Sequence, residues 1–125
     1  MLGDKKDFSA QARLFSENTV LNTFTEGIAI LKLNGRKEMA EAFGKFLKGF
    51  ETVYHFNGQQ IVNLDGDKAT GTCYCLITLI ATEDGRKIKT TIAATYHDDY
   101  IRDNNRWLIS KRIGDFEWQE KTKLN

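Results

Sequence analysis

Proline is absent from this chain of 125 residues. Proline lacks the backbone N–H that a sheet ladder needs, so a chain without it can form long uninterrupted strands. The absence also argues against a rigid proline-rich linker. Domains commonly hold roughly 100–150 residues, and we therefore expect a single domain over residues 1–125.

Neither sign of charge is in excess. Lys and Arg number 18 and Asp and Glu 17, which leaves a net charge of +1. Such a balance argues against a nucleic-acid partner bound through bulk charge. No apolar run approaches the roughly 20 residues that span a bilayer, and no signal-peptide pattern opens the chain. We expect a cytoplasmic protein that is not bound to a membrane.

Cysteine is scarce as well. Cys73 and Cys75 stand two apart, so on a strand they point to the same face and lie too close along one backbone for an ordinary disulfide. No second Cys or His pair accompanies them, which argues against a metal site. The glycines match no phosphate loop, and there is no nucleophile elbow. We expect no metal and no organic cofactor.

Turn signals divide the second half of the chain into a meander of strands. Asp-Gly and Asn-Asn pairs tolerate the positive φ of tight hairpins. They occur in Asp65-Gly66-Asp67, Asp84-Gly85-Arg86 and Asn104-Asn105. The predicted strands cover residues 68–82, 88–101 and 107–113, and the polar cluster Tyr54-His55-Phe56-Asn57-Gly58 opens the meander.

The first half of the chain predicts helices and two short strands. Residues 4–18 are typical of a helix end or a short helix, and 19–24 and 28–33 of strands. An apolar stripe at helical spacing makes residues 35–50 the clearest helix. Helices followed by a long curled antiparallel sheet predict an α+β fold.

Strand alternation assigns residues of 88–101 to two faces. One face carries Ile88, Thr90, Ile92, Ala94, Tyr96, Asp98 and Tyr100. Adjacent strand residues point to opposite faces, so His97 and Asp98 are not expected to act as a dyad. We expect His97 to make a solvent or interface contact.

The ordered set of motifs resembles the SnoaL-like branch of the nuclear transport factor 2-like superfamily. The similar segments are Asp4-Lys5-Lys6-Asp7-Phe8, Tyr54-His55-Phe56-Asn57-Gly58, Gly66-Asp67-Lys68-Ala69-Thr70-Gly71 and Tyr96-His97-Asp98-Asp99-Tyr100-Ile101-Arg102 with Trp107 and Phe116-Glu117-Trp118. The resemblance implies a cystatin-like cone of curved antiparallel sheet, with N-terminal helices packed on its concave face. The family's first helix is largely absent here, so we expect it to be shortened.

Within that branch, scytalone-dehydratase-like and bile-acid-dehydratase-like enzymes are the nearest in spacing. The resemblance implies that His55 is the acid/base and Asp4 its carboxylate partner. It implies that Tyr54, Cys73 and Tyr96 contact the substrate. Two positions depart from the pattern: Leu2-Gly3 stands where the family has a tyrosine, and Cys73 stands where scytalone dehydratase has a second histidine.

Two hypotheses of function follow. The first is a cofactor-independent dehydratase, isomerase or cyclase that acts on a compact apolar cyclic molecule. The second is a non-catalytic ligand-binding or oligomerisation module of the same fold. Both predict a pocket between the inner sheet face and the helix at 35–50, with His55, Cys73 and Tyr96 on its wall.

The strands also predict self-association. Both faces of 68–82 are rather apolar, and the helices can cover only one of them. We therefore expect a homodimer, or next a homotrimer, that associates through the outer sheet face.

Overall fold

The computed structural model describes residues 14–124 of the chain. These residues form six strands and one helix. The strands are β1 (Phe15–Thr25), β2 (Ile28–Asn34), β3 (Thr52–Asp65), β4 (Lys68–Glu83), β5 (Arg86–Asp103) and β6 (Arg106–Lys123), and the helix is α1 (Arg36–Leu47). The long strands meet through the turns that the sequence predicts. Asp84 and Gly85 have φ of 51° and 77°, and Asn104 and Asn105 have φ of 51° and 62°. Positive φ at both central residues matches the right-handed twist of the flanking strands.

All six strands belong to one curved sheet in the order β2-β1-β6-β5-β4-β3. The pairs β1–β2, β3–β4, β4–β5 and β5–β6 are antiparallel, whereas β1 pairs with β6 in parallel. The sheet is therefore mixed rather than wholly antiparallel. The α+β cone is confirmed, with a single helix among the described residues.

Helix α1 packs on the β1–β2 end of the sheet. It begins after Gly35, whose φ of 90° favours glycine and whose N–H donates to the Thr19 carbonyl at 2.7 Å. Met39 on its inner face is fully buried, and Phe43 packs beside it. These side chains meet a cluster contributed by the adjoining strands, formed by Phe15, Leu21, Leu33 and Ile109.

A second cluster fills the sheet between β3 and β5. It consists of Val53, Cys75, Ile77, Leu79, Ile92 and Ala94, with Phe50, Tyr96 and Phe116 packed against it. These positions alternate along each strand, so they lie on one face. We call it the concave face. Cys75 belongs to this core, where it packs as a small apolar side chain.

Two secondary-structure predictions need correction. The helix predicted over 4–18 is wrong at 15–18, which belong to β1, and its remaining residues 4–13 lie outside the described residues. Burial of Thr19, Leu21 and Thr23 follows a period of two, and this strand extends back to Phe15. The last strand is much longer than the predicted 107–113, since it continues to Lys123.

No helix among the described residues is long and apolar enough to cross a membrane.

Truncating a buried core side chain should lower the free energy of unfolding. Leu79 is 1% exposed within the β3–β5 cluster. We expect Leu79→Ala to lower the free energy of unfolding by about 2–5 kcal/mol, because the lost apolar contacts are joined by a residual cavity. The matched control Leu64→Ala, at 73% exposure on β3, should cost less than about 1 kcal/mol. Urea unfolding measures both, and equal losses would contradict this packing.

Candidate functional site

A buried ion pair lies on the concave face. Arg112 of β6 donates from Nε to Asp98 Oδ1 at 2.7 Å and from Nη2 to Oδ2 at 2.8 Å. Asp98 lies opposite Arg112 in the β5–β6 register and is 2% exposed. Two parallel bonds between a guanidinium and a carboxylate fix both groups in one plane. The pair thus joins β5 to β6 inside the cone.

Aromatic rings enclose the guanidinium. The Arg112 carbon Cζ lies 4.3 Å from the ring centroid of Tyr96 and 5.4 Å from that of Phe15. A cation above an aromatic face is attracted to the ring's negative charge density. Arg112 therefore connects three strands: β6, which carries it, β5 through Asp98 and Tyr96, and β1 through Phe15.

A hydrogen-bonded chain continues from the ion pair towards β3. The Tyr100 hydroxyl donates to Asp98 Oδ2 at 3.2 Å, and Gln60 Nε2 donates to the Tyr100 hydroxyl at 3.3 Å. A β-bulge separates Asn57 from Gln60 on β3, and after this bulge Gln60 pairs with Cys73 of β4.

Two glycines make room for the tyrosine rings. A Cβ at Gly114 would lie 3.0 Å from Tyr96 Cε1, and one at Gly71 would lie 3.1 Å from Tyr100 Cε2. Gly114 pairs with Tyr96 across β5 and β6, and Gly71 pairs with Asp98 across β4 and β5. Each ring thus lies across the bare backbone of a neighbouring strand, where any larger residue would force it to shift.

Burial changes the pKa values of the ionisable side chains in this cluster. Burial raises the pKa of Tyr96 to about 12, and burial with the neighbouring Asp98 carboxylate raises that of Tyr100 to about 12. Burial also raises the pKa of the Cys73 thiol, although the Arg112 charge opposes this. For Arg112, burial acts to lower the pKa, but the Asp98 bonds and charge outweigh it and the net shift is upward. At neutral pH the tyrosines and the thiol are neutral.

The structure brings three of the sequence-predicted residues onto the concave face. His55 pairs with Ile77 and is half-buried, and Cys73 pairs with Tyr96 across β4 and β5. Tyr54 is on the opposite face and is 56% exposed, because it is adjacent to His55 on the same strand. Asp4 lies outside the described residues. The roles of these residues stay predictions.

Asp98 and Arg112 are the polar residues that the sequence-based site omits. A signal for Asp98 exists, since alternation puts this carboxylate on the same face as Ile92, Ala94 and Tyr96. A charge on an apolar face needs a partner. Arg112 is harder to find. A bulge between Asp99 and Tyr100 shifts the β5–β6 register, so that Ile109 and Arg112, three residues apart, both face inward.

The outer face carries a groove of about 370 Å³. His97 lies in it, with Nδ1 3.4 Å from Thr72 Oγ1 and Nε2 3.4 Å from Asp115 Oδ2. Asp99 and Lys111 also line this groove. His97 is therefore on the other side of the sheet from Asp98. Among residues 14–124, no group of three acidic, His or Cys side chains is arranged to hold a metal ion.

A profile of the SnoaL-like domain matches residues 1–113. Comparison with proteins of curated function gave no match. Among solved structures, a proposed scytalone dehydratase from Novosphingobium aromaticivorans is similar, with a TM-score of 0.82, 14% identity, and coverage of 99% of this chain and 80% of that one.

Two further structures share the fold. The hexachlorocyclohexane dehydrochlorinase LinA-type3 from Novosphingobium barchaimii has a TM-score of 0.74 and 21% identity over 98% of this chain and 80% of that chain. A nuclear transport factor 2-like protein with a cystatin-like fold from Novosphingobium aromaticivorans has a TM-score of 0.70 and 20% identity, covering 92% and 72%. At these identities the likeness establishes the fold alone.

Removal of one partner of the ion pair should be strongly destabilising. We expect Asp98→Ala to cost about 3–5 kcal/mol, because it leaves the buried Arg112 charge uncompensated. The neighbouring control Asp99→Ala, on the outer face, should cost less than about 0.5 kcal/mol. Chemical denaturation measures both. The double variant Asp98→Leu/Arg112→Met should be more stable than Asp98→Leu alone. If it is less stable, the pairing is contradicted.

Stability should fall at high pH. The pKa of Tyr96 is about 12 in the folded protein against about 10 for an unperturbed tyrosine. The folded state holds this proton more tightly than the unfolded state does. The protonated Tyr96 therefore contributes fully to the free energy of unfolding below pH about 10, and this contribution is lost as the pH rises towards about 12. Denaturation across this range should show a smaller decline in Tyr96→Phe than in the wild type. An unchanged decline in Tyr96→Phe would contradict the assignment.

Proposed function

Since the chain belongs to the SnoaL-like domain family, we propose that its concave face binds a compact, neutral cyclic molecule on which His55 moves a proton. The reaction is a cofactor-independent dehydration, isomerisation or cyclisation. The observation that carries the proposal is the shared face of His55, Cys73 and Tyr96, which lies beside the buried Asp98–Arg112 pair.

The charges of the described cluster favour an uncharged ligand. The positive charge of Arg112 is balanced by Asp98, whose side chain is 1% exposed. The raised pKa values keep Tyr96, Tyr100 and Cys73 neutral at physiological pH. A ligand carboxylate would therefore be desolvated without an uncompensated cation to receive it. A ketone or phenol oxygen would instead accept a hydrogen bond from the protonated Tyr96 hydroxyl, because the single O–H of Tyr100 already donates to Asp98.

Imidazole suits the proposed proton transfer. A histidine can accept a proton near neutral pH and return it, and a carboxylate partner fixes its tautomer. In a dehydration, the base removes a proton from carbon, a carbon–carbon double bond forms, and the carbon–oxygen bond breaks. The departing hydroxyl takes up the proton from the imidazolium and leaves as water. We propose Asp4 as the carboxylate that orients His55.

Strand geometry limits the size of the ligand. His55 is opposite Ile77, and Tyr96 is opposite Cys73, four residues further along β4. Four residues of strand span about 13 Å. Hydrogen bonds of about 3 Å to the side chains at the two ends leave roughly 7 Å for the ligand. One or two fused rings would reach from His55 to Tyr96, with the apolar Cys75 and Ala94 below them.

The cysteine favours a second candidate function, a non-catalytic ligand-binding module. Cys73 stands where scytalone-dehydratase-like enzymes have a second histidine, and its raised pKa keeps the thiol protonated. A protonated thiol supplies no second base. The same pocket would then bind its ligand without converting it. For either function we propose a cytoplasmic setting.

The two histidines of the chain offer a matched test. We expect naphthol to raise the unfolding temperature of the wild type and naphthoate, its anionic analogue, to do so much less. His55→Gln should lower the turnover rate of a two-ring hydroxyketone at least about a hundredfold, which is the usual contribution of acid–base catalysis. His97→Gln, on the outer face, should leave turnover and binding unchanged.

The outcomes separate the candidates. If the wild type binds the ligand but does not convert it, the enzyme hypothesis is contradicted and the ligand-binding hypothesis is supported. Equal shifts with naphthoate and naphthol would contradict the neutral site. Equal loss of turnover in His55→Gln and His97→Gln would contradict the role of His55.

A further inference from the structure

The groove on the outer face lies across four strands, between two rows of side chains, and we call it the outer groove. The members of each row are cross-strand partners from β3 to β6. The first row is Ile61, Thr72, His97 and Ile113, and the second row is Asn63, Thr70, Asp99 and Lys111. The backbone of Gly71 and Asp98 lies between the rows. The groove volume of about 370 Å³ is within the roughly 300–1,000 Å³ that is usual for small-molecule sites.

The first row forms an apolar wall of the outer groove. The Asp115 carboxylate can only accept a hydrogen bond, so His97 donates to it from Nε2 at 3.4 Å. The other ring nitrogen, Nδ1, then accepts from the Thr72 hydroxyl at 3.4 Å. Both polar edges of the imidazole are thus occupied, and the ring face and the hydrocarbon of Ile61 and Ile113 are left for a ligand. Ile61 is 54% exposed, so a ligand in the groove would cover apolar surface.

The second row forms a polar wall whose side chains are not engaged by the protein. In the described part of the chain, no hydrogen bond or ion pair involves the side chains of Asn63, Thr70, Asp99 and Lys111. Asp99 lies directly opposite Lys111 in the β5–β6 register, so the wall carries one charge of each sign and no net charge. The carboxylate only accepts hydrogen bonds, the ammonium only donates them, and the Asn63 amide does both. A ligand that satisfies this wall must therefore carry donors and acceptors side by side.

We propose that the outer groove binds a neutral cyclic polyol of the size of one sugar ring. Each hydroxyl of such a ring both donates and accepts, so neighbouring hydroxyls bond to Asp99 and Lys111 while the C–H face of the ring packs on the first row. An anionic ligand would bring its charge to Asp99, and a cationic ligand would bring its charge to Lys111. A purely apolar ring would leave the second row desolvated without partners, which is unfavourable.

Titration with methyl glucoside, followed by NMR, tests the site. The backbone amide signals of Asp99 and Lys111 shift and saturate in the wild type. Asp99→Ala/Lys111→Ala weakens binding at least about tenfold, because hydrogen bonds to charged groups are the stronger ones. This double variant keeps the net charge and changes only exposed positions, so the fold is retained and the spectrum checks it. The matched control Glu51→Ala/Lys87→Ala removes an exposed ion pair of 3.7 Å outside the groove and binds as the wild type does.

Four results would overturn the proposal. The first is the absence of a saturable shift in the wild type, and the second is unchanged affinity in Asp99→Ala/Lys111→Ala. The third is tighter binding of glucuronate or glucosamine, the anionic and cationic analogues, than of methyl glucoside. The fourth is a set of shifts centred on Cys73 and Tyr96, which would place the polyol on the concave face. Failure of the concave face to bind naphthol would leave these expectations unchanged, because the sheet separates the two sites.

Discussion

The Asp98–Arg112 pair holds the interior of the cone together. Its two hydrogen bonds of 2.7 and 2.8 Å tie β5 to β6, and the guanidinium packs between the rings of Tyr96 and Phe15. Asp98 is buried and Arg112 is largely shielded from water, so each charge requires the other, and neither strand can slip in register without breaking the pair. The pair also orders Tyr100 and, through it, Gln60 at the bulge of β3.

The same pair sets the chemistry that the concave face can perform. With the two charges balanced, the remaining groups are neutral donors and apolar walls, and His55 stands further along the same face. That combination is suited to a neutral ring with one oxygen rather than to a charged metabolite. The opposite face has a different composition, with a groove around His97 at one end and exposed apolar side chains such as Phe56 and Trp118 elsewhere on it. One sheet therefore separates the proposed ligand-binding face from a face of different composition.

Local patterns in the sequence were sufficient for much of this structure. The Asp84-Gly85 and Asn104-Asn105 turns and the alternation of β4 and β5 predict the hairpins, and the family resemblance implies that Cys73 and Tyr96 lie on one pocket wall. Nonlocal features could not be predicted from the sequence. The parallel pairing of β1 with β6 joins distant parts of the chain, and no local signal specifies it. The partner of Asp98 could not be identified because a bulge changes which residues of β6 face inward, and bulges have no reliable sequence signature.

The most direct test of the central claim is a crystal structure of the protein with naphthol bound. The account requires the ring system to lie on the concave face between His55 and Tyr96, with its oxygen within hydrogen-bond distance of a tyrosine hydroxyl or of the imidazole. Naphthol in the outer groove beside His97 and Lys111, with the concave face filled by protein side chains, would contradict it.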